Sequence, residues 1–299
     1  MNKVVLTLLV LVAAAIAGVG ISFAVENSFL SDRDYKNGNG TVYAHTVATG
    51  DFHSIDASMS VDVEYTCGAL APVKVVASER VLPYVTVEVK SGVLRVGMKK
   101  EYMQERKKKF GKEDKVRVYV TAPAVRSFSA STSADIICKS DLAGIDKLTV
   151  NASTSGDVKL KSVGAKSATL DACTSGDIEI DRLEGAGAVK AVAATSGDVG
   201  VGSMAVKSLI ISCSTSGDFS CKNISCDSLE ADVSTSGDVV VAGTAGTLKA
   251  EANTSGDFNG GKLLVENATA MAMTGGSVTV NAVRCNAKTS SGGTVKNKY

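Results

Sequence analysis

The sequence predicts an all-β protein: a single-stranded parallel β-helix, or β-solenoid, with about 20 residues per coil and a set of N-terminal capping strands. The first observation behind this is a repeat. Thr-Ser-Gly-Asp occurs six times, starting at Thr154, Thr174, Thr195, Thr215, Thr235 and Thr254, at intervals of 19 to 21 residues. A degenerate copy, Thr132-Ser133-Ala134-Asp135, precedes them, and worn copies follow at Thr274-Gly275-Gly276-Ser277 and Thr289-Ser290-Ser291-Gly292. The second observation is parity. Apolar residues stand two, four and six places before each Thr, as in Leu148, Val150 and Ala152 or Leu209, Ile211 and Cys213, and one and three places after each Asp, as in Val158 and Leu160. Alternation at period two gives strands with one buried face, whereas a helical repeat needs spacings of three and four.

A further apolar residue six places past the Asp (Val163, Leu183, Met204, Ile224, Leu263) suits a third wall, so each coil is expected to hold two or three short strands. Coils pair in parallel at roughly 4.8 Å, and the stack rather than any single coil makes the core. All three prolines, Pro72, Pro83 and Pro123, precede the repeats, where a missing N–H breaks no ladder.

The chain opens with Met1-Asn2-Lys3, an apolar run from Val4 to Ala17, and small residues suited to cleavage after Ala24 or Ala17. This reads as a secretory signal peptide over 1–24; the alternative is an uncleaved membrane anchor of nearly spanning length. Residues 25–45 are polar and read as a spacer. One β-solenoid domain is expected over 46–299. Within it, 46–125 supply the N-terminal strands and 126–299 the Thr-Ser-Gly-Asp coils. A basic loop, 99–115, carries Arg106-Lys107-Lys108-Lys109 and reads as a solvated hairpin tip, with contact to an acidic surface polymer or lipid headgroup as its alternative. The formal net charge of +1 does not point to nucleic acid.

The strands Phe52-His53-Ser54-Ile55, Val61-Asp62-Val63-Glu64-Tyr65, Val73-Lys74-Val75-Val76-Ala77, Gly92-Val93-Leu94-Arg95-Val96 and Val116-Arg117-Val118-Tyr119-Val120-Thr121-Ala122-Pro123 lead into Ser/Thr/Gly/Asp-rich coils. Over roughly Gly50 to Val295 this order resembles the putative autotransporter adhesin "head GIN" domain family of the bacterial cell envelope, common in Bacteroidetes. The resemblance implies an exported β-solenoid and brings no catalytic residues. The chain departs from lipid-anchored members in having no Cys near its cleavage sites.

Stacked coils place Asp157, Asp177, Asp198, Asp218, Asp238 and Asp257 in one file. Like charges that close repel, so something must offset them. In one reading backbone N–H groups cap each carboxylate while Gly supplies a positive φ at the corner. In the other, adjacent carboxylates hold Ca²⁺, although the second glycine of the calcium-binding nonapeptide repeat is missing. No cofactor is expected. Thr at the first position falls on the inward parity and is expected to be partly buried.

Of the seven cysteines, Cys138, Cys213, Cys221 and Cys285 fall on inward slots as small apolar fillers and Cys173 on an outward one. Cys221 and Cys226 are near enough in sequence for a bridge to remain open. The only histidines are His45 and His53, and from Val150 to Lys298 there is no Tyr, Trp or His. Phe219 and Phe258 take inward slots, which leaves no aromatic platform for a sugar. The expected role is therefore exported, noncatalytic and structural or adhesin-like, in the periplasm, at the outer membrane or on the cell surface. Its partner would be a cell-surface polymer or protein, with membrane contact only through an uncleaved N-terminal segment. Alternatives are a carbohydrate-active β-helix enzyme and a periplasmic binding or sensing module.

Overall fold

The computed structural model describes residues 42–102, 104 and 115–299. The signal segment, most of the spacer and the Arg106–Lys109 run lie outside the described residues.

Among the described residues, seventeen strands form one continuous sheet wound into a solenoid of about nine turns. First come β1 (Val42–Val47), β2 (Ser54–Ser58), β3 (Val61–Cys67), β4 (Val73–Ser78), β5 (Val85–Lys90), β6 (Val93–Met98), β7 (Val116–Ala122) and β8 (Ser127–Ser131). Then each coil is one long bent strand: β9 (Asp135–Ser153), β10 (Asp157–Cys173), β11 (Ile178–Ala194), β12 (Val199–Ser214), β13 (Phe219–Ser234), β14 (Asp238–Asn253) and β15 (Asp257–Ala272). β16 (Ser277–Thr289) and β17 (Thr294–Asn297) close the stack. The two or three short strands expected per coil thus run together as one long strand, whose ladder shifts register at the corners of most coils.

The bends are written in the burial parity. In the β10 coil the buried residues are Val158 and Leu160, then Val163 and Ala165, then Ala168, Leu170 and Ala172. Spacing within each wall is two, and between walls it is three. The extra residue at each step carries the chain around a corner, and three walls enclose a narrow apolar interior. Register is parallel and unbroken across this wall: Leu170 pairs with Val150 on one side and Ala191 on the other. Leu170, Ile211 and Val233 are buried and Asp171 and Asp232 exposed, as the alternation requires, whereas Ser212, expected to be exposed with them, is half-buried.

Exposed ion pairs bridge neighbouring coils, among them Lys159–Glu179 at 2.9 Å, Lys161–Asp141 at 3.2 Å and Lys249–Glu230 at 2.8 Å. Each contributes little by itself, and the apolar interior carries the stability.

The N-terminal region is more interwoven than a set of strands laid over one end. β2 and β3 form a rung already: β2 pairs in parallel with β6 on one side and β8 on the other, and β3 with β7 and β9. The rung made of β6 and β7, later in the chain, therefore lies outside the earlier one. Antiparallel β5 and β4 cover β6 and β7, and β1 adds to β4. β1 begins at Val42, inside the stretch expected as spacer, so strand structure is already present before the expected boundary at 46. Tyr102, within the expected basic loop, is buried, and its ring packs against Tyr84 at a tilt of 51° with centroids 5.8 Å apart.

Tyr65 pins this cap. Its ring is buried beside Phe128, and its hydroxyl accepts the Val125 N–H at 3.0 Å while donating toward the carbonyls of Ala122 (3.2 Å) and Pro123 (3.0 Å). A segment ending at a proline has few ladder partners, and one buried phenol supplies them.

Candidate functional site: the Thr-Ser-Gly-Asp corner

Each tetrapeptide sits at one corner of its coil. In the first, the Gly156 N–H donates to the Ser153 carbonyl at 3.0 Å, closing a four-residue turn around Thr154 (φ 53°) and Ser155 (φ 59°). Both central residues are left-handed, and nearly the same pair of angles recurs at all six full copies, at Thr132 and Ser133 and, in the first rung, at Met59 and Ser60. For an L-residue the left-handed region costs roughly 1–2 kcal/mol, and β-branched Thr is among the least suited to it. The compensation comes from the neighbouring coil. The Ser155 N–H donates to the Thr174 carbonyl at 3.1 Å, Ser175 to Thr195 at 3.1 Å and Ser196 to Thr215 at 3.1 Å. This backbone ladder runs from Ser60, donating to Thr132, to Ser255, donating to Thr274. The left-handed peptide is what aims each N–H along the stack.

Two expectations are corrected here. Thr was expected on the inward parity, but Thr154, Thr174, Thr195, Thr215, Thr235 and Thr254 are all exposed, as are the following serines. The turn takes both residues out of strand alternation, so their hydroxyls form an outward file. Gly was expected to supply the positive φ, yet Thr and Ser do so and the glycine is buried against the preceding coil. A Cβ on Gly197 would lie 2.6 Å from the backbone N of Cys173 and 2.8 Å from the carbonyl carbon of Ala172. The position demands glycine for close approach, not for conformation.

The Asp file follows. The Oδ1 atoms of Asp157, Asp177, Asp198 and Asp218 accept the backbone N–H of Asp177, Asp198, Asp218 and Asp238 at 3.0–3.1 Å. At Asp157 and Asp257 the N–H turns instead to the carbonyls of Ala134 and Gly237. The file is longer than the six expected residues. Asp135 stands in register with Asp157, and Asp62 with Asp135. The signal for both was present: Asp135 ends the degenerate copy, and Met59-Ser60-Val61-Asp62 is a more degenerate one.

Partial burial pushes the carboxyls of Asp157, Asp198 and Asp238 above their ordinary range, with the neighbouring carboxylates adding to the shift; at Asp157 and Asp198 the capping N–H opposes it. Asp62 is raised for the same first reason, with Asp135 next. Among the described residues no three His, Cys, Asp or Glu side chains converge as metal ligands would. Capping occupies one oxygen of Asp157, Asp177, Asp198 and Asp218 and leaves a row of second oxygens beside the hydroxyl file.

All seven cysteines are free thiols, Cys221 and Cys226 included. Burial pushes Cys213 up to about 12 and Cys221 and Cys226 to about 11, so these sulfurs stay protonated and inert. Cys138, Cys213 and Cys221 are buried, while Cys285, expected inward, is only partly covered because it stands in the last coil. On the wall beside the corner, Ser208, Ile210, Ser228, Glu230, Lys249 and Thr269 line a shallow open depression of ≈ 400 Å³ that contains neither His nor Cys.

Fold and corner together define a single-stack parallel β-solenoid with polar files along one edge. The chain belongs to the family described as "Putative auto-transporter adhesin, head GIN domain", which matches residues 51–220 and 188–298. Among solved structures, a putative adhesin from Parabacteroides merdae ATCC 43184 is 18% identical with a TM-score of 0.57, covering 89% of this chain and 100% of that one. A putative adhesin from Parabacteroides distasonis ATCC 8503 is 19% identical with a TM-score of 0.56, covering 87% of this chain and 98% of that one. At these identities the likeness shows a shared fold. No curated protein matches the chain.

Proposed function

We propose that this protein is an exported, noncatalytic component of the cell envelope with an adhesin-like or structural role. The observation that carries the reading is the corner itself: a regular outward file of Thr and Ser hydroxyls beside a file of carboxylates, repeated coil after coil on a rod. Such a surface offers many equal hydrogen-bonding positions to an extended partner, and it lacks the paired nucleophile and base, or acid and base, that catalysis needs. The apolar N-terminal run supports export, and the family description supports the adhesin-like role. In this reading the carboxylates are structural, with no calcium bound.

The test is surface proteolysis of intact cells producing the full chain, with lysed cells as control. Digestion in intact cells supports exposure at the surface, and protection there with digestion after lysis excludes a surface adhesin. Treatment of the purified protein with chelator is expected to leave its melting temperature unchanged. A drop of several degrees reversed by Ca²⁺ alone would replace the capping account with a metal one.

A further inference from the structure

At the N-terminal end of the stack, the wall built from β9, β8, β2 and β6 ends in β5. β5 lies antiparallel to β6 with no register shift from Val85–Met98 to Lys90–Val93, and no other ladder reaches it among the described residues. The Lys99 N–H donates to the Tyr84 carbonyl at 2.8 Å, in line with this ladder. Hydrogen-bonded and non-hydrogen-bonded pairs alternate along an antiparallel pair, so Thr86, Glu88 and Lys90 direct their backbone groups to β6. Val85, Val87 and Val89 turn their N–H and C=O groups to the free side.

The side chains point to the same edge. Val85, Val87 and Val89 stand opposite Met98, Val96 and Leu94, which are buried, yet they are themselves only half-buried against the end of the core. Edge strands are ordinarily guarded by proline, a bulge or unpaired charge. β5 has no proline and no register shift, and its two charges, Glu88 and Lys90, pair with each other at 2.9 Å. No net charge is left to select an acidic or a basic strand. What the edge fits is a strand with valine at every second position, and β5 is itself such a strand.

We infer that the free edge of β5 pairs with the same edge of a second copy, antiparallel about a two-fold axis at Val87, giving a head-to-head dimer. This register engages every outward backbone group: Val87 meets the partner's Val87, and Val85 meets the partner's Val89. The two valine rows then continue one apolar layer across the axis. Neighbouring registers are poorer. Centring on Glu88 sets it directly opposite the partner's Glu88, where like charges repel. Centring on Val89 pairs Val87 with the partner's Ser91, which has left the strand at φ 51°, and centring on Thr86 pairs Val89 with the partner's Pro83, which has no N–H. About Val87, Thr86 faces the partner's Glu88. The inference goes beyond the envelope role and does not depend on where the protein resides.

The test is sedimentation velocity of the whole protein over a range of concentrations, which should show a monomer–dimer equilibrium. Thr86→Glu, an outward-facing change, sets a carboxylate opposite the partner's Glu88 on both sides of the axis and should weaken the dimer by about tenfold or more. Thr86→Lys should leave it as tight or tighten it. Val87→Pro removes the central N–H on the side where the monomer makes no bond, so the far-UV circular dichroism should match the wild type while the dimer is lost. Lys222→Glu, in an inner coil, should leave the equilibrium unchanged. A chain that stays monomeric to about 0.1 mM would overturn the inference. So would a dimer that both Thr86→Glu and Val87→Pro leave intact, because the contact would then lie elsewhere. Tightening by Thr86→Glu with weakening by Thr86→Lys would overturn the pairing about Val87, since Thr86 faces the partner's Lys90 when the axis lies at Glu88.

Discussion

The Oδ1 of Asp198 accepts the backbone N–H of Asp218 at 3.1 Å, so each of these carboxylates serves the coil after its own. The bond ties register to chemistry: a coil displaced along the stack would lose its cap and leave an N–H without a partner. It also gives the carboxylates of a row of like charges a hydrogen-bond donor, at a cost that depends on protonation.

That cost gives a pH prediction. The Asp198 carboxyl is raised in the folded protein, first by burial and then by Asp218 and Asp177. An unfolded Asp titrates near 3.9, so between that value and the raised one the folded chain binds more protons. Its stabilising contribution is complete below about pH 3.9 and is lost as pH rises through the folded value. Asp198→Asn keeps the Oδ1 acceptor and removes the charge. The variant should melt above the wild type at pH 7, and the difference should shrink to nothing near pH 3.5 or so. A constant difference across that range would mean that Asp198 carries no linked proton.

At the corner, glycine and threonine should respond in opposite ways. Gly197→Val places side-chain atoms within the backbone of Cys173 and should cost about 1–3 kcal/mol through overpacking. Thr195→Gly relieves a left-handed residue and should be neutral or stabilising by up to about 1 kcal/mol, after the added freedom of the unfolded chain is offset. Urea unfolding of both variants checks the pair. If Thr195→Gly were the more damaging, the division of roles at the turn would be wrong.

The C-terminal cap should be separable from the rest of the stack. Asn297→Ala removes both bonds to Ala282, each contributing roughly 0.5–1.5 kcal/mol. Coils contact mainly their neighbours, so hydrogen exchange should rise within 277–299 and remain unchanged over the inner coils. Uniform loss of protection would mean one cooperative unit.

In the N-terminal cap, Tyr65→Phe keeps the ring against Phe128 but strips the Val125 N–H of its acceptor. An unpaired buried donor costs about 1–3 kcal/mol. Thermal unfolding should show a lower melting temperature for the variant, and a value equal to the wild type would mean that water takes the place of the hydroxyl.

How much of this was legible in the chain follows from how far each rule reaches. Parity is local, so Leu170, Ile211, Val233, Phe219 and Phe258 could be assigned inward from sequence alone, and the 20-residue period placed Asp157 through Asp257 in one file. Those statements need only neighbours along the strand and one repeat along the stack. Tertiary structure decided the rest. Which corner residue is left-handed depends on where its N–H must point, toward the Thr carbonyl one coil away, and this exchanged the roles expected for Thr195 and Gly197. The order of the first rungs, with β6 and β7 outside β2 and β3, depends on pairing between segments tens of residues apart, which leaves no periodic trace. Asp62 joins the carboxylate file in the same way: Met59-Ser60-Val61-Asp62 keeps a degenerate form of the repeat but lies far off the 20-residue period, and stacking against Asp135 brings it into line.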